Sequence, residues 1–381
     1  MSISYGHCTN TDTISLRGNV ETLMIGLDEA LHGIARLLIV IKGSPDPDVL
    51  ASSFALNMIC RKRGIDSTII SLMDVSLPQN RALITRLDIP VVFVKRIYSP
   101  VDFDGYAVLD YQSAWIDDIG TKIPCIIHID HHAPIDDKVT PKFNYCTEEV
   151  GAVSTLFSQI LQNNPEMLES DILRKVTTAL YFGIRIDTDD FQHANETDLK
   201  SVEWLRTTSD PSAITEMENI PFSEETITVI SKAMMNGHYY KDWLFCGVGY
   251  LPEQYRDSIA VSADYILKNE DIFGVAVFAL IERTDGKGLF LDTSIRTSEE
   301  SFDLNRFIKH VAPEGGARTY KGAFQINLDF FRSVPDKTAL WNLVRITTIV
   351  NLSDARDHYP AISFETLFAK VKRKLGRFFD F

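Results

Sequence analysis

Short apolar runs alternate with helix-period segments through the first half of the chain, and this alternation constrains the fold more than any single residue does. Residues 20–36 place Leu23, Leu27, Ala30, Leu31 and Ile34 at helical spacing, and residues 37–41 follow as an apolar run of strand length. Residues 49–63 read as helix and 68–72 as strand, with further β-rich runs at 91–95, 106–110 and 125–129. Strands that alternate with helices imply an α/β fold with a doubly wound, mostly parallel sheet. From 152 to about 206 the pattern is helical, interrupted at 183–191 by a stretch too polar for core.

The pattern then changes. Residues 207–221 carry Ser-Asp-Pro and Ile-Pro, and with the helical segment that follows they make 207–235 a connector and linking helix. New β-like runs at 243–250, 274–282 and 288–296, with a helix at 256–268, imply a smaller mixed-sheet α/β domain at 236–335. Residues 1–206 are the first domain, and 336–381 a helical tail with a basic, apolar end at 368–379. The aromatic residues of that tail could serve a subunit interface, which leaves a homodimer open. Two domains suit 381 residues.

Composition removes several function classes. Five scattered cysteines without a C-x-x-C pair argue against a disulfide framework or a thiolate zinc site, and fit a reducing compartment. Residues 1–12 are polar and show no export signal, and no apolar run approaches the ~20 residues that cross a bilayer. A cytoplasmic protein without membrane attachment is expected. Net charge is −14, the wrong sign for a protein that coats long nucleic acid. A small anionic substrate stays open, because a local cation can override the global field.

Four acidic clusters stand at the ends of predicted segments, the edge where a parallel sheet collects ligands. Ser44-Pro45-Asp46-Pro47-Asp48 follows the 37–41 run, and Asp110 ends the 106–110 run. Asp130-His131-His132 follows 126–129, and Asp187 lies in 183–188 with Asp189 and Asp190 behind it. Taken singly, such an aspartate is more often a helix N-cap or turn residue. Taken together, they gather carboxylates that would repel or protonate unless cations share the site. Two divalent ions resolve the conflict.

Asp46-Pro47-Asp48 with Ser52 and Ala55, then Asp110, Asp130-His131-His132-Ala133-Pro134, and Gly183 with Asp187-Thr188 and Phe191 resemble, in order and spacing, the four motifs of the DHH phosphoesterase superfamily. Ser294-Ile295-Arg296-Thr297 and the run from Gly315-Gly316-Ala317-Arg318 to Ala323 look like the Ser-x-Arg and Gly-Gly-His motifs of the domain usually appended to it. The likeness spans about residues 35–330. It implies one metal at Asp46 and Asp110, and a second at Asp48, Asp110, His131 and Asp187, with manganese the usual ion. It also implies that His132 faces the scissile phosphate, that Asp130 orients the histidine pair, and that the active site lies in the cleft between the domains. Gly315, Gly316, Arg296 and Arg318 would contact substrate.

Two residues depart from the pattern. Lys42 stands four residues before Asp46, where the family has a metal-binding histidine; protonated lysine cannot coordinate, though its ammonium could replace part of a cation's charge. Ala317 replaces the histidine of the Gly-Gly-His motif, and the neighbouring arginines could compensate. The activity implied is manganese-dependent hydrolysis of a small nucleotide phosphodiester. Its substrate would be a cyclic dinucleotide such as cyclic di-GMP, or a linear dinucleotide, cut to linear dinucleotide or nucleoside 5′-monophosphate. The alternatives are a 3′-5′ or 5′-3′ exonuclease of short oligonucleotides and a nucleotide sensor that does not cut.

Overall fold

Strands buried on both faces carry no polar alternation, and this is why the first sheet reads as continuous apolar runs. The computed structural model describes residues 20–75, 77–97, 99–133, 135, 137–283 and 288–359. Packing divides the chain between Ile220 and Pro221 into two units. In the first, β1 (Arg36–Ile41), β2 (Asp66–Ser71), β3 (Val91–Phe93), β4 (Gly105–Leu109), β5 (Cys125–Asp130) and β6 (Phe143–Cys146) form one sheet in the order β3-β2-β1-β4-β5-β6. Every pairing is parallel. Leu37, Ile39 and Ile41 of β1 join Ala107 and Leu109 of β4 in the larger core, while Leu38 and Val40 join Tyr106 and Val108 on the opposite face.

The helices of this unit are α1 (Val20–Leu31), α2 (Pro47–Lys62), α3 (Pro78–Leu87), α4 (Val153–Asn163), α5 (Ser170–Asp187), α6 (Glu196–Thr208) and α7 (Pro211–Glu218). Proline opens α2 and every residue from Pro47 to Cys60 is buried, so α2 is a central core element. The strand order changes direction at β1, which has β2 on one side and β4 on the other. Diverging connections at such a point leave a crevice beyond the carboxyl ends of the strands.

The second unit repeats the layering with a mixed sheet. Its strands β7 (Gly237–Tyr240), β8 (Trp243–Pro252), β9 (Gly274–Glu282), β10 (Leu289–Thr297), β11 (Gly316–Ala317) and β12 (Lys321–Asn327) are ordered β11-β12-β10-β9-β8-β7. Only β8 and β9 run parallel. Period-two alternation sorts their side chains. Leu244, Cys246, Val275 and Val277 meet α8 (Glu224–Met235) and α9 (Ser258–Asn269). Trp243, Phe245, Ala276 and Phe278 meet α10 (Leu304–Val311) and α11 (Lys337–His358).

The α/β class with two sheets is therefore observed. Some local expectations change. Residues 183–187 are not an interruption: α5 runs through them and Gly183 and Ile184 are buried, so the break falls after Asp187. Residues 207–221 hold α7, whose Ala213 is buried, and 207–220 belong to the first unit. Strands β6, β7, β11 and β12 and helix α3 are additional to those read from the sequence; so is α10, whose Leu304, Phe307, Ile308 and Val311 do fall at helical spacing but over only eight residues. The 368–379 segment and Pro134 lie outside the described residues.

Gly183 shows how tightly α5 seats. A Cβ there would lie 2.0 Å from Ser154 Oγ and 3.1 Å from Asp48 Oδ1. Gly183→Ala is expected to cost about 1–3 kcal/mol by overpacking, measured as a lower urea midpoint with an unchanged m-value.

Candidate metal centre

Asp46 is the N-cap of α2: its Oδ1 accepts from Asp48 N at 3.0 Å and Val49 N at 3.1 Å. The turn that closes this cap sends Asp48 inward, fully buried. Its two oxygens accept from Val153 N and Ser154 N, each at 2.7 Å, so the carboxylate sits on the positive end of α4. Asp110 follows β4 and donates its backbone N–H to Ile129 O at 2.9 Å. The backbone turns there with φ 51°, a left-handed conformation that aspartate tolerates better than most residues. Asp187 is the last residue of α5.

These elements bring four donors to one point. One ligand atom from each of Asp48, Asp110, His131 and Asp187 lies within 4.8 Å of the others. His131 Nε2 stands 3.0 Å from Asp187 Oδ2 and 3.2 Å from Asp110 Oδ1. Neither approach has the direction of a hydrogen bond, so Asp110 Oδ1 and His131 Nε2 are buried polar atoms with no hydrogen-bond partner. Lone pairs aimed at a shared point, rather than at one another's protons, fit a cation. Carboxylate oxygens with one imidazole suit a divalent ion of intermediate hardness.

Electrostatics agree with the geometry. Burial, then the charges of Asp110 and Asp187, push the Asp48 carboxyl up to about 8. Burial and the neighbouring Asp46 and Asp187 push Asp110 up to about 7, against the opposing influence of the nearby His131 imidazole. Burial pulls the His131 imidazole down, but Asp110 and Asp187 outweigh it and hold it well above its ordinary value. The protein alone must neutralise this cluster with protons.

Asp130 and His132 form the adjoining pair. The buried Asp130 Oδ1 accepts from His131 N at 2.9 Å and meets His132 Nδ1 at 2.5 Å. Burial raises the Asp130 carboxyl, yet the His132 contact outweighs it and holds the group below the usual carboxylate range. The two imidazoles meet edge to face with centroids 4.7 Å apart. Asp46 is close enough to act on Asp110 but is not among the four converging donors.

Lys42 points elsewhere. Its Nζ donates to Ser113 O at 3.3 Å and lies 4.6 Å from the centre of the Tyr111 ring, and burial lowers its pKa. In the second unit, Arg296 is buried and its guanidinium is engaged by Asp264 and by Ile295 O. Gly315 is required by packing, since a Cβ would lie 2.6 Å from Ile308 and 2.7 Å from Phe324. At Gly316 a Cβ would meet only Asn305 Oδ1 at 4.0 Å. Gly316 and Ala317 form β11, and Arg318 N donates to Lys321 O at 2.8 Å.

Several supporting groups were not foreseen. The α4 amides under Asp48 have no side-chain signature; small residues before a helix were the only hint. His128 is buried, with Nδ1 2.8 Å from Asn144 Oδ1 and Nε2 2.8 Å from Tyr111 O, so β5 braces the loop after Asp110. Asp198, also buried, accepts from Gly151 N at 3.0 Å and Thr155 Oγ1 at 2.6 Å and fixes the start of α4.

No family model matches the chain. An uncharacterised protein from Methanocaldococcus jannaschii is 32% identical over 316 residues, covering 81% of this chain. The chain spans 62% of that relative's length. Among solved structures, an exopolyphosphatase-related protein from Bacteroides fragilis superposes with a TM-score of 0.59 at 16% identity, over 87% of this chain and 98% of its own. That likeness is one of fold. A pGpG-specific phosphodiesterase from Vibrio cholerae covers 82% of this chain and 99% of its own at 11% identity, with a TM-score of 0.28 too loose to argue from. Among the described residues, no helix is long and apolar enough to cross a membrane.

The raised carboxyls set a sign for pH. Unfolded carboxyls titrate near ~3.9, so between there and about 8 the folded, chelator-treated protein binds more protons than the unfolded chain. Its stability is expected to fall as pH rises from ~5 to ~8. The raised imidazole of His131 adds in the same direction. Urea midpoints across this range check it: the decline should flatten in Asp110→Asn, and a midpoint that climbs with pH in the parent protein would contradict it.

Proposed function

We propose that this chain is a DHH-type, metal-dependent phosphodiesterase that hydrolyses short nucleotide phosphodiesters, cyclic or linear dinucleotides, with manganese as its ion. The observation that carries the reading is the convergence of Asp48, Asp110, His131 and Asp187 at one buried point with Asp110 Oδ1 and His131 Nε2 left without hydrogen bonds. The fold shared with the Bacteroides fragilis protein is consistent with this reading. The net charge of −14 favours a small substrate over long nucleic acid.

Asp48, Asp110, His131 and Asp187 would hold one divalent ion, and Asp46 beside Asp110 would help hold a second. Such ions lower the pKa of water and offset the charge that grows on a phosphate under attack. The rest falls to the protein's own groups. Asp130 Oδ1 fixes Nδ1 of His132, so Nε2 is the atom that would meet the phosphate or pass a proton to the leaving oxygen. Lys42, held against Tyr111 and Ser113, acts on the loop after Asp110 as a positioning residue. Gly316 leaves room for a nucleotide to approach the backbone beside Arg318, whereas Arg296 would first have to give up Asp264.

Phosphodiesterase activity is expected to vanish on chelation, to return with Mn²⁺, and to be absent in Asp110→Ala and His131→Ala. Full turnover in either variant would refute the assignment. Asp130→Asn should retain metal but lose on the order of 10–100-fold in rate, because it weakens the hold on His132 while an amide oxygen can still accept from His131 N.

A nucleotide sensor is the second reading, favoured by the commitment of Lys42 and Arg296 to internal partners. Stoichiometric nucleotide binding without turnover, across several metals, would replace the enzyme reading with it. A substrate panel of cyclic dinucleotides, dinucleotides and longer oligomers separates a dinucleotide hydrolase from an exonuclease.

A further inference from the structure

In the second unit, α10 and α11 end side by side, and three side chains with lone pairs meet there. Asp354 and His358 lie four residues apart on α11, a spacing that sets two donors over one helix face, and α10 brings His310 to them. His310 Nε2 is 3.1 Å from Asp354 Oδ2, and His358 Nδ1 is 3.7 Å from the same oxygen. The two imidazole centroids are 4.8 Å apart with planes inclined by 33°. One ligand atom from each residue lies within 4.8 Å of the other two.

The scaffold beneath this cluster is rigid. Leu304, Phe307 and Ile308 of α10 and Leu352 and Ala355 of α11 are buried in the same apolar core. Arg356, next to Ala355, makes two hydrogen bonds to Asp242, at 2.9 and 2.8 Å, which pins the last turn of α11 to the loop before β8. The helix positions that carry the donors are thus fixed by packing.

We propose that His310, Asp354 and His358 form a second metal site, for a borderline divalent transition ion such as zinc. Two imidazoles and one carboxylate make up a three-ligand zinc set, with the fourth position left to water. Hard ions would want more oxygen than this cluster offers. Both helices point their C-terminal ends here, and the partial negative charge of those ends favours a cation. A single ion pair accounts for His310 against Asp354; the second imidazole, 4.8 Å from the first, brings a third donor toward the same carboxylate oxygen. His358 Nδ1 lies 2.9 Å from the backbone oxygen of Asp354, a hydrogen bond that the ring exchanges for the ion if it coordinates through that nitrogen. Side-chain exposures of 30%, 59% and 58% leave an open path for entry. The ion would clip the end of α11 to α10.

Zinc stoichiometry of the full chain tests the site independently of the acidic centre. After chelator stripping, equilibrium dialysis should give the parent protein one more zinc ion than His310→Ala or His358→Ala. Asp110→Asn should keep this ion. Titration with Co²⁺ should produce a tetrahedral ligand-field band in the parent and in Asp110→Asn but not in the histidine variants. Zinc should also raise the melting temperature of Asp110→Asn and leave that of the double variant Asp110→Asn/His310→Ala unmoved. Equal zinc stoichiometry in the parent and both histidine variants would overturn the site, as would loss of all zinc in Asp110→Asn.

Discussion

Burying several carboxylates together is among the most expensive arrangements a protein can adopt, and the first unit is organised around making it tolerable. Two backbone amides at the start of α4 meet Asp48, and the imidazole of His131 stands between Asp110 and Asp187. These contacts leave net negative charge at the carboxyl edge of β1, β4 and β5. The left-handed turn at Asp110 sets that carboxylate at the edge, and the bare helix face at Gly183 admits Ser154 and, beside it, Asp48. Strain and missing volume at one place are common where a site has been placed ahead of local stability.

The central strands β1, β4 and β5 of the first sheet were legible because burial on both faces writes itself into the chain as unbroken apolar runs, whereas the partly exposed edge strand β6 left no such trace. The donors at the strand ends were legible for a related reason: an aspartate that ends such a run has few neighbours in sequence to explain it. Asp46 shows the limit of that logic, since the same carboxylate caps α2 and still acts electrically on Asp110. What stayed hidden was carried by backbone. The α4 amides leave no side-chain trace, and the helix through Gly183 was read as a break because Gly183, Arg185 and Asp187 look polar when their burial is unknown. In the second unit, β12 alternates buried Gly322 and Phe324 with exposed neighbours, a pattern too short and weak to separate from loop.

The glycine-rich run of the second unit illustrates why a motif and a function can part company. Gly315 and Gly322 are forced by contacts with Ile308, which a Cβ would approach to 2.6 and 2.2 Å. Their presence therefore follows from α10 packing whether or not a nucleotide binds nearby. Gly316 has no such steric demand, so its missing side chain is the informative one. The same distinction applies to Arg296, whose burial against Asp264 satisfies the guanidinium internally and gives it a structural reason to exist.

The converging donors of the acidic centre come from α2, from the turn after β4, from the end of β5 and from the end of α5. These segments are up to about 140 residues apart in sequence (Asp48 to Asp187), so the donor set exists only once the sheet and its covering helices have assembled. An ion that recognises this set binds the folded chain and almost nothing of the unfolded one, and every increment of affinity becomes an increment of folding stability by mass action. Proton and metal then compete for the same oxygens. A cluster that must take up protons to exist alone gives them up when a cation arrives, and the charge that makes the empty protein costly to fold is the charge that makes the loaded protein stable.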